Sequence, residues 1–582
     1  MGNRDADIAC KAPLLAIGWT DNGPGSFKYL KVIRTFPVYR MRYLGHQCAL
    51  HCDLFTTIMS SAKSKFVASA ARCLQVVLAW AQNEPSPDQP HITANCTATC
   101  EQLGIEFPAV FHPGTNDPDF AIWDAKAQEV QPACRVEPSD AAEVARVLEI
   151  AVENQCQVAI KSGGHSTNRD ASNSVGGVTI DLVRINHVRL WDDHTQADFG
   201  PGLILRDAYT ALEPFNLTNF GGRTADVGLA GYTIGGGLTA LAPKFGLALD
   251  NVFEYELVLP NSTIVNVNEH TNSDLYFALR GGGNNFGIIT NFRARVVPQG
   301  QRLGGSKTYS TNYTDQLIEQ EFQLTTALSG DLDMAFHNRY FYNQSDDSFS
   351  WSFFQEYNQP VLNPTVFDGL NRIPSLTDQI RIDYASVLSL DEVSPHGLRR
   401  LYATVTFHPS RELHKKFIDI YSEEVERIKA TANLTTSLIV QPLHFNSIKT
   451  MNERGGNALG IESDGSLLSE SLTPTIRGNC GSRANQSYVT TVALLTLGWG
   501  KSEDDSAIYN FAQRWTDRST SEAEASGLFH PWQYINYAAP FQDPFSSYGE
   551  ASKLRLQEIQ RNTDPAGIFT SQGLVRGSFK LL

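Results

Sequence analysis

A chain of 582 residues, 42% of them apolar, is long enough for two or three domains with sizeable cores. Its formal charge of −15 argues against a nucleic-acid partner, whose phosphates need a basic footprint. No apolar stretch runs unbroken for the ~18 residues a membrane span needs, so a soluble protein with no membrane partner is expected.

Residues 1–60 mix Gly, Pro, basic residues and scattered Cys without a sustained period. His46, Cys48, His51 and Cys52 are zinc-ligand types. Their spacing matches no common structural zinc pattern and no second ligand pair follows, so no metal is expected. From Met59, the basic Lys63, Lys65 and Arg72 precede the apolar run that begins at Cys73 and the ending Ala79-Trp80-Ala81. That is the layout of a secretory signal peptide, with Met59 as the start and Gln82 as the first mature residue. Residues 1–81 then form a non-structural extension; an amphipathic helix is the competing reading. Sequons at Asn95, Asn216, Asn261, Asn312, Asn343, Asn433 and Asn485 agree with a secreted glycoprotein. Beyond the extension stand Cys96, Cys100, Cys134, Cys156 and Cys480, an odd set that leaves a thiol free or paired with another chain.

An N-terminal arm occupies 82–125. Strands at 133–136 and 158–160 then flank a helix that starts after Asp140, with Asp140 and Glu143 spaced as a capping box and Val144, Val147, Leu148 and Val152 on one face. The second strand feeds Lys161-Ser162-Gly163-Gly164-His165-Ser166. Adjacent glycines let backbone approach a ligand and aim N–H groups at an anion, which places His165 in that ligand's shell. A tight turn with an exposed imidazole is the plainer alternative. Short strands follow at 178–182, 188–191 and 196–199, then a helix over 203–212. Gly200-Pro201-Gly202 lacks the third glycine and later acidic residue of a dinucleotide fingerprint, so a Rossmann reading is rejected.

The stretch from Gly221 to Gly237 is too glycine-rich for an ordinary helix or strand, yet Val227, Leu229, Ile234 and Leu238 make it too apolar for a linker. Backbone wrapped against something bulky and flat fits both facts. A hairpin turns at Pro260-Asn261-Ser262 between strands at 253–259 and 263–267. Asp274 to Arg280 reads as a short helix running into Gly281-Gly282-Gly283 and a strand from Gly287. Past Gly300 aromatics accumulate (Tyr340, Phe341, Tyr342, Phe349, Trp351, Phe353, Phe354), and most of them are best read as core. Strands are expected at 401–407 and 488–497, and a helix at 411–430. The chain closes with Trp532-Gln533-Tyr534-Ile535-Asn536-Tyr537, a helix over 554–561 and the turn Asp564-Pro565.

From about Pro132 to Pro298, in order and without a large gap, these glycine segments resemble the FAD-binding domain of the vanillyl-alcohol oxidase and p-cresol methylhydroxylase superfamily. The branch is that of berberine bridge enzyme and the oligosaccharide oxidases. The resemblance implies an α+β fold: a two-part PCMH-type FAD-binding domain over 126–299, an antiparallel-sheet substrate domain with covering helices over 300–529, and a C-terminal segment, 530–582, returning to the FAD domain. It implies FAD bonded through its 8α carbon to His165. Ser162, Gly163, Gly164, Ser166, Gly222, Thr224, Gly228, Gly231, Ile234, Gly236, Gly287, Ile288 and Ile289 would bind the cofactor, with Asn536 and Tyr537 reaching the isoalloxazine. Many relatives add a second bond, to flavin C6, from a cysteine; that position is Thr224 here, so a single link is expected. The resemblance also implies a disulfide from the arm to the first strand, Cys100 with Cys134, with Cys156 as the alternative partner. Gln441 to Phe445 and Gly455 to Gly460 look like elements of fungal members associated with secondary metabolism.

The function expected is hydride transfer to flavin N5 from a carbon bearing a hydroxyl or amine, with O₂ as the acceptor that restores the flavin. Tyr534 and Tyr537 are the candidates for proton handling, and His444 a remoter one that is better read as structural. Thr224 tilts the substrate towards a small secondary metabolite. A carbohydrate oxidase, a dehydrogenase of the same fold and a flavin-free binding protein are the alternatives.

Overall fold

A computed structural model describes residues 18–19, 28–29, 94–114, 120–327, 330–461 and 490–582. The chain forms two units, Met1–Gln89 and Pro90–Leu582. In the first, Gly18–Trp19 and Lys28–Tyr29 pair as short antiparallel strands. The zinc-type quartet, the Met59 segment, Cys480 and Asn485 lie outside the described residues.

In the second unit the helix Ala141–Glu153 links strands Cys134–Val136 and Val158–Lys161. Val178–Asp181 inserts between these two, all three run parallel, and Phe111–Pro113 adds an antiparallel edge. The Asp140 carboxylate accepts from Glu143 N, while Glu143 reaches back to Ser139 N, one residue beyond the cap itself. Val144, Val147, Leu148 and Ile150 are fully buried, each contributing about 1.5–3 kcal/mol. Their cluster takes in Val258 and Ile288 of a second sheet, so the helix is held between the two sheets. That second sheet is antiparallel, in the order Ile264–Asn268, Val252–Val258, Ile288–Arg295, Gln196–Phe199, Val188–Leu190.

Two disulfides fasten the helix Ala94–Glu106 to this lobe. Cys100 bonds Cys134, the implied pair, and Cys156 bonds Cys96. Positions 96 and 100 are one helical turn apart and share a face, so the start of a strand and the end of the neighbouring helix can each be met. Asn95, Asn216, Asn261, Asn312 and Asn433 are exposed, and Asn343 partly so.

The glycine-rich stretch departs from expectation: Leu229–Ile234 is a short helix, capped by Gly228, because only Gly231 within it is glycine. The rest of the stretch is irregular, as its backbone entropy dictates.

The roof is a ten-stranded sheet whose centre runs Ser348–Tyr357, Met334–Asn343, Thr435–Leu443, Thr490–Trp499, Arg399–Phe407, each pair antiparallel. Helices Arg411–Ile428 and Asp505–Ala525 cover one face. The two-residue period of a strand sorts the aromatics. Tyr340, Tyr342, Trp351 and Phe353 enter the core under the helices, with Phe349 packed against it. Phe341 and Phe354 face the opposite way, into a cavity.

The end of the chain lies on the first lobe. Val158 N donates to Leu574 O, Gln560 Nε2 to Asn285 O, and Asn285 Nδ2 to Phe579 O. The 455–460 stretch serves as an anchor: Asn457 Nδ2 donates to Asp250, which also meets Arg280, and Ala458 N donates to Arg280 O. His444 Nδ1 caps the helix Phe445–Glu453 by accepting from Asn446 N, a structural role away from the cavity. No described helix is long and apolar enough to cross a membrane.

Candidate active site

A cavity of about 1080 Å³ lies between the glycine segments and the open face of the roof sheet. Its floor begins where the strand Val158–Lys161 ends, at Ser162, Gly163, Gly164, His165 and Ser166. Gly222, Thr224, Gly228, Gly231 and Ile234 continue it, then Gly287, Ile288 and Ile289, and Tyr534, Asn536 and Tyr537 close one side. Gly236 alone among the expected residues does not line it. Its φ of +134° and the Tyr534 ring against its α-carbon demand glycine there for packing, and Gly235 takes its place in the lining.

The glycines answer different needs. A Cβ on Gly228 would run into Gly163 N, and one on Gly163 into the Gly228 backbone, so these two hold the loops in direct contact. A Cβ on Gly231 meets nothing within 4 Å, so that position keeps a flat approach open to a ligand. Gly228→Ala must therefore push the His165 loop away. We expect a loss of at least about 1–3 kcal/mol and a lower flavin-to-protein absorbance ratio, read by thermal melting and spectrophotometry. A variant with unchanged melting temperature and flavin content would contradict this.

His165 stacks on Trp123, with ring centroids 3.7 Å apart and planes at 14°. Burial pushes its pKa down to about 4, so the imidazole is neutral and its lone pair free at ordinary pH. Its Nε2 lies 3.9 Å from Asp226 Oδ1, and both atoms are buried without a hydrogen-bond partner among the described residues. Asp226 Oδ2 in turn lies 3.4 Å from His396 Nε2. Arg400 sits over the other part of this group, 4.9 Å from the Trp123 ring.

The tyrosines divide. Tyr534 is buried, and its oxygen accepts from Gly237 N, Leu238 N and Asn536 Nδ2. Burial also pushes its pKa well above the usual tyrosine value, so it holds the glycine loop and keeps its proton. Tyr537 OH instead donates to Gln441 Oε1 at 3.3 Å, an oxygen that also takes Arg223 Nη1 at 2.6 Å. Beside them, Glu392 receives Arg339 Nη2 at 2.6 Å and lies 2.7 Å from His337 Nε2.

Sequence reasoning passed over Trp123, Arg223, Asp226, Arg339, Glu392 and Gln441 as site residues. Arg223 and Asp226 flank Thr224 in the glycine stretch, and that adjacency was the available signal. Trp123 lies upstream of the glycine segments, and the others come from three separate parts of the roof.

The residues fit FAD. The cavity exceeds the roughly 300–1,000 Å³ of ordinary small-molecule sites, leaving room for a dinucleotide and a substrate. Backbone of the 162–166 loop, the open Gly231 surface and a neutral, orphaned imidazole are the donor set a histidyl-linked flavin requires.

Residues 132–268 match a family model described as an FAD binding domain. A FAD-dependent monooxygenase of Cochliobolus heterostrophus is 30% identical over 476 residues, which are 79% of this chain and 87% of that protein. Berberine bridge enzyme from Eschscholzia californica shares the fold with a TM-score of 0.63 at 14% identity, over 83% of this chain and 99% of that one. The glucooligosaccharide oxidase of Acremonium strictum, whose FAD is 6-S-cysteinyl and 8α-N1-histidyl, gives 0.61 at 17% identity over 83% and 99%.

Proposed function

Since this chain belongs to the FAD-dependent oxidoreductases with the berberine-bridge-enzyme-like fold, we propose that it is a secreted oxidase of a small organic molecule, oxidising a carbon that bears a hydroxyl or amine. The observation that carries this reading is the cavity in which His165, the glycine segments and Tyr537 meet under a mixed polar and aromatic roof, with Gln441 accepting from Tyr537 OH. Bound FAD supplies the hydride acceptor, and O₂ restores it.

In this reading His165 is the sole covalent anchor, since the Thr224 hydroxyl is a far weaker nucleophile than the thiolate of a cysteine. Tyr537 moves the substrate proton at its hydroxyl, with Gln441 orienting it. Tyr534 and Asn536 keep the loop that would bear the flavin in place: Asn536 Nδ2 donates to Tyr232 O as well as to Tyr534 OH. Phe341 and Phe354 favour an unsaturated metabolite over a carbohydrate, as does Thr224. The exposed sequons and the two disulfides of the arm support passage through an oxidising secretory route.

The test is an anaerobic screen of alcohols, amines and sugars for bleaching of the flavin band, followed by readmission of ¹⁸O₂. Peroxide with no label in the product is expected. Label in the product would make the chain a monooxygenase, as its Cochliobolus relative is named, and bleaching by sugars alone would make it a carbohydrate oxidase.

A further inference from the structure

The roof strand Met334–Asn343 presents His337, Arg339 and Phe341 at alternate positions, and Glu392 comes to it from the turn Ser389–Glu392. Glu392 is held by Arg339 at 2.6 Å, with His337 at 2.7 Å and Arg223 Nε at 3.9 Å. Its carboxyl is held well below the usual range by His337 and the two guanidiniums, against the opposing effect of burial. Burial has the opposite sign at His337, whose pKa it lowers against the pull of Glu392, so the charges that do not depend on pH here are the two guanidiniums. One carboxylate thus faces two permanent cations.

The arrangement in depth matters as much as the count. The Glu392 side chain is 5% exposed, while Arg223 is 17% and Arg339 28% exposed, so the carboxylate lies behind and the guanidiniums in front. Arg339, Arg223 and Glu392 all line the cavity, and Arg339 Nε is buried without a partner among the described residues. Arg400, a third guanidinium in the lining, donates to Pro395 O and feels the carboxylates of Asp124 and Asp226, neither of which lines the cavity. In a chain whose overall charge is −15, this cavity wall is positive. A buried surplus of cation is costly unless an anion completes it.

We infer that Arg223 and Arg339 form an anion-recognition site that takes the carboxylate or enolate of an acidic organic substrate. The inference rests on the oxidase reading and narrows its substrate class. Planar, delocalised anions suit a guanidinium pair because two parallel N–H donors can be offered at once. Phe354 stacks against both Arg339 and His337, 5.1 Å and 4.3 Å away, and supplies an apolar wall for the body behind such a head group. Gln441 couples the site to the chemistry, because one oxygen takes both Arg223 Nη1 and Tyr537 OH. An anion held by Arg223 therefore places the adjoining carbon near the hydroxyl that handles the proton.

The test titrates the full-length holoprotein with acetate, benzoate, salicylate and cinnamate, each against its neutral amide, following the flavin spectrum and, independently of flavin, the heat of binding. At least one acid should bind about 10- to 100-fold more tightly than its amide. Arg339→Gln should abolish that ratio, Arg339→Lys should keep part of it, and FAD content should stay unchanged in both. If Arg339→Gln does not fold, Arg339→Gln combined with Glu392→Gln removes one charge of each sign, and the wild-type ratio alone remains decisive. Equal binding of every acid and amide overturns the inference, as does a loss of FAD rather than of acid binding in the variants. A protein with no flavin at all would sink the oxidase reading, while the calorimetric ratio would still judge the anion site.

Discussion

Acid-denatured wild-type protein is expected to stay yellow, whereas the His165→Ala chain is expected to release all of its FAD. A proteolytic digest should carry the flavin mass on the peptide containing His165 and on no other; a flavinylated peptide lacking it, or free FAD alone, would refute the assignment. The chemistry follows from the environment of the ring. With a pKa near 4, His165 is an uncharged nucleophile through the physiological range. Its lowered value also fixes the sign of the pH dependence. Attachment to apoprotein reconstituted with FAD should be flat above about pH 5 and should fail as pH drops through about 4, where protonation removes the lone pair. Bond formation at one ring nitrogen obliges the proton on the other to leave, and Asp226 Oδ1, 3.9 Å from Nε2, is placed to take it. Asp226→Asn should accordingly slow attachment by on the order of 10²-fold while leaving non-covalent FAD binding intact. Unchanged attachment kinetics in that variant would remove Asp226 from the scheme.

Tyr537→Phe and Tyr534→Phe should fail in opposite ways, although three positions separate them. Tyr537→Phe is expected to keep the flavin and the melting temperature but to slow substrate-driven bleaching by about 10²- to 10⁴-fold, the usual worth of a positioned acid or base. Tyr534→Phe strips an acceptor from Gly237 N and Leu238 N in a buried loop, at about 1–3 kcal/mol for each donor left unsatisfied. Its melting point and FAD retention should drop while the chemical step in the flavin-loaded fraction changes little. Equal kinetic defects in the two variants would show that both hydroxyls act in chemistry.

What could be read beforehand was whatever is written locally. The helix after Asp140, the 252–268 hairpin and the strands at 196–199 and 399–407 all announce themselves through period and turn residues, with ends shifted by a residue or two. The floor of the cavity was legible for the same reason, since each of its glycine loops is a contiguous stretch. Gly236 was misplaced because a glycine demanded by a neighbour's ring looks in sequence like one demanded by a ligand. The arginine–glutamate group was out of reach: residues 223, 339, 392 and 441 come together only when the roof sheet closes over the floor. Cys96 with Cys156 was missed likewise, its two ends brought together by packing that no spacing encodes.

The lacing of the C-terminal residues onto the first lobe bears on how such a chain is made. Val158 is bridged to Val575, and the Gly237 loop waits for Tyr534, so the outer edge of an early strand and an early loop are completed only when synthesis is nearly over. Long-range closure of this kind is slow, and until it happens the early lobe carries an unfinished edge and a loose glycine loop. Flavin capture thus becomes a post-translational event, and a nascent chain stalled short of Tyr534 would be a colourless client for chaperones rather than a weak enzyme.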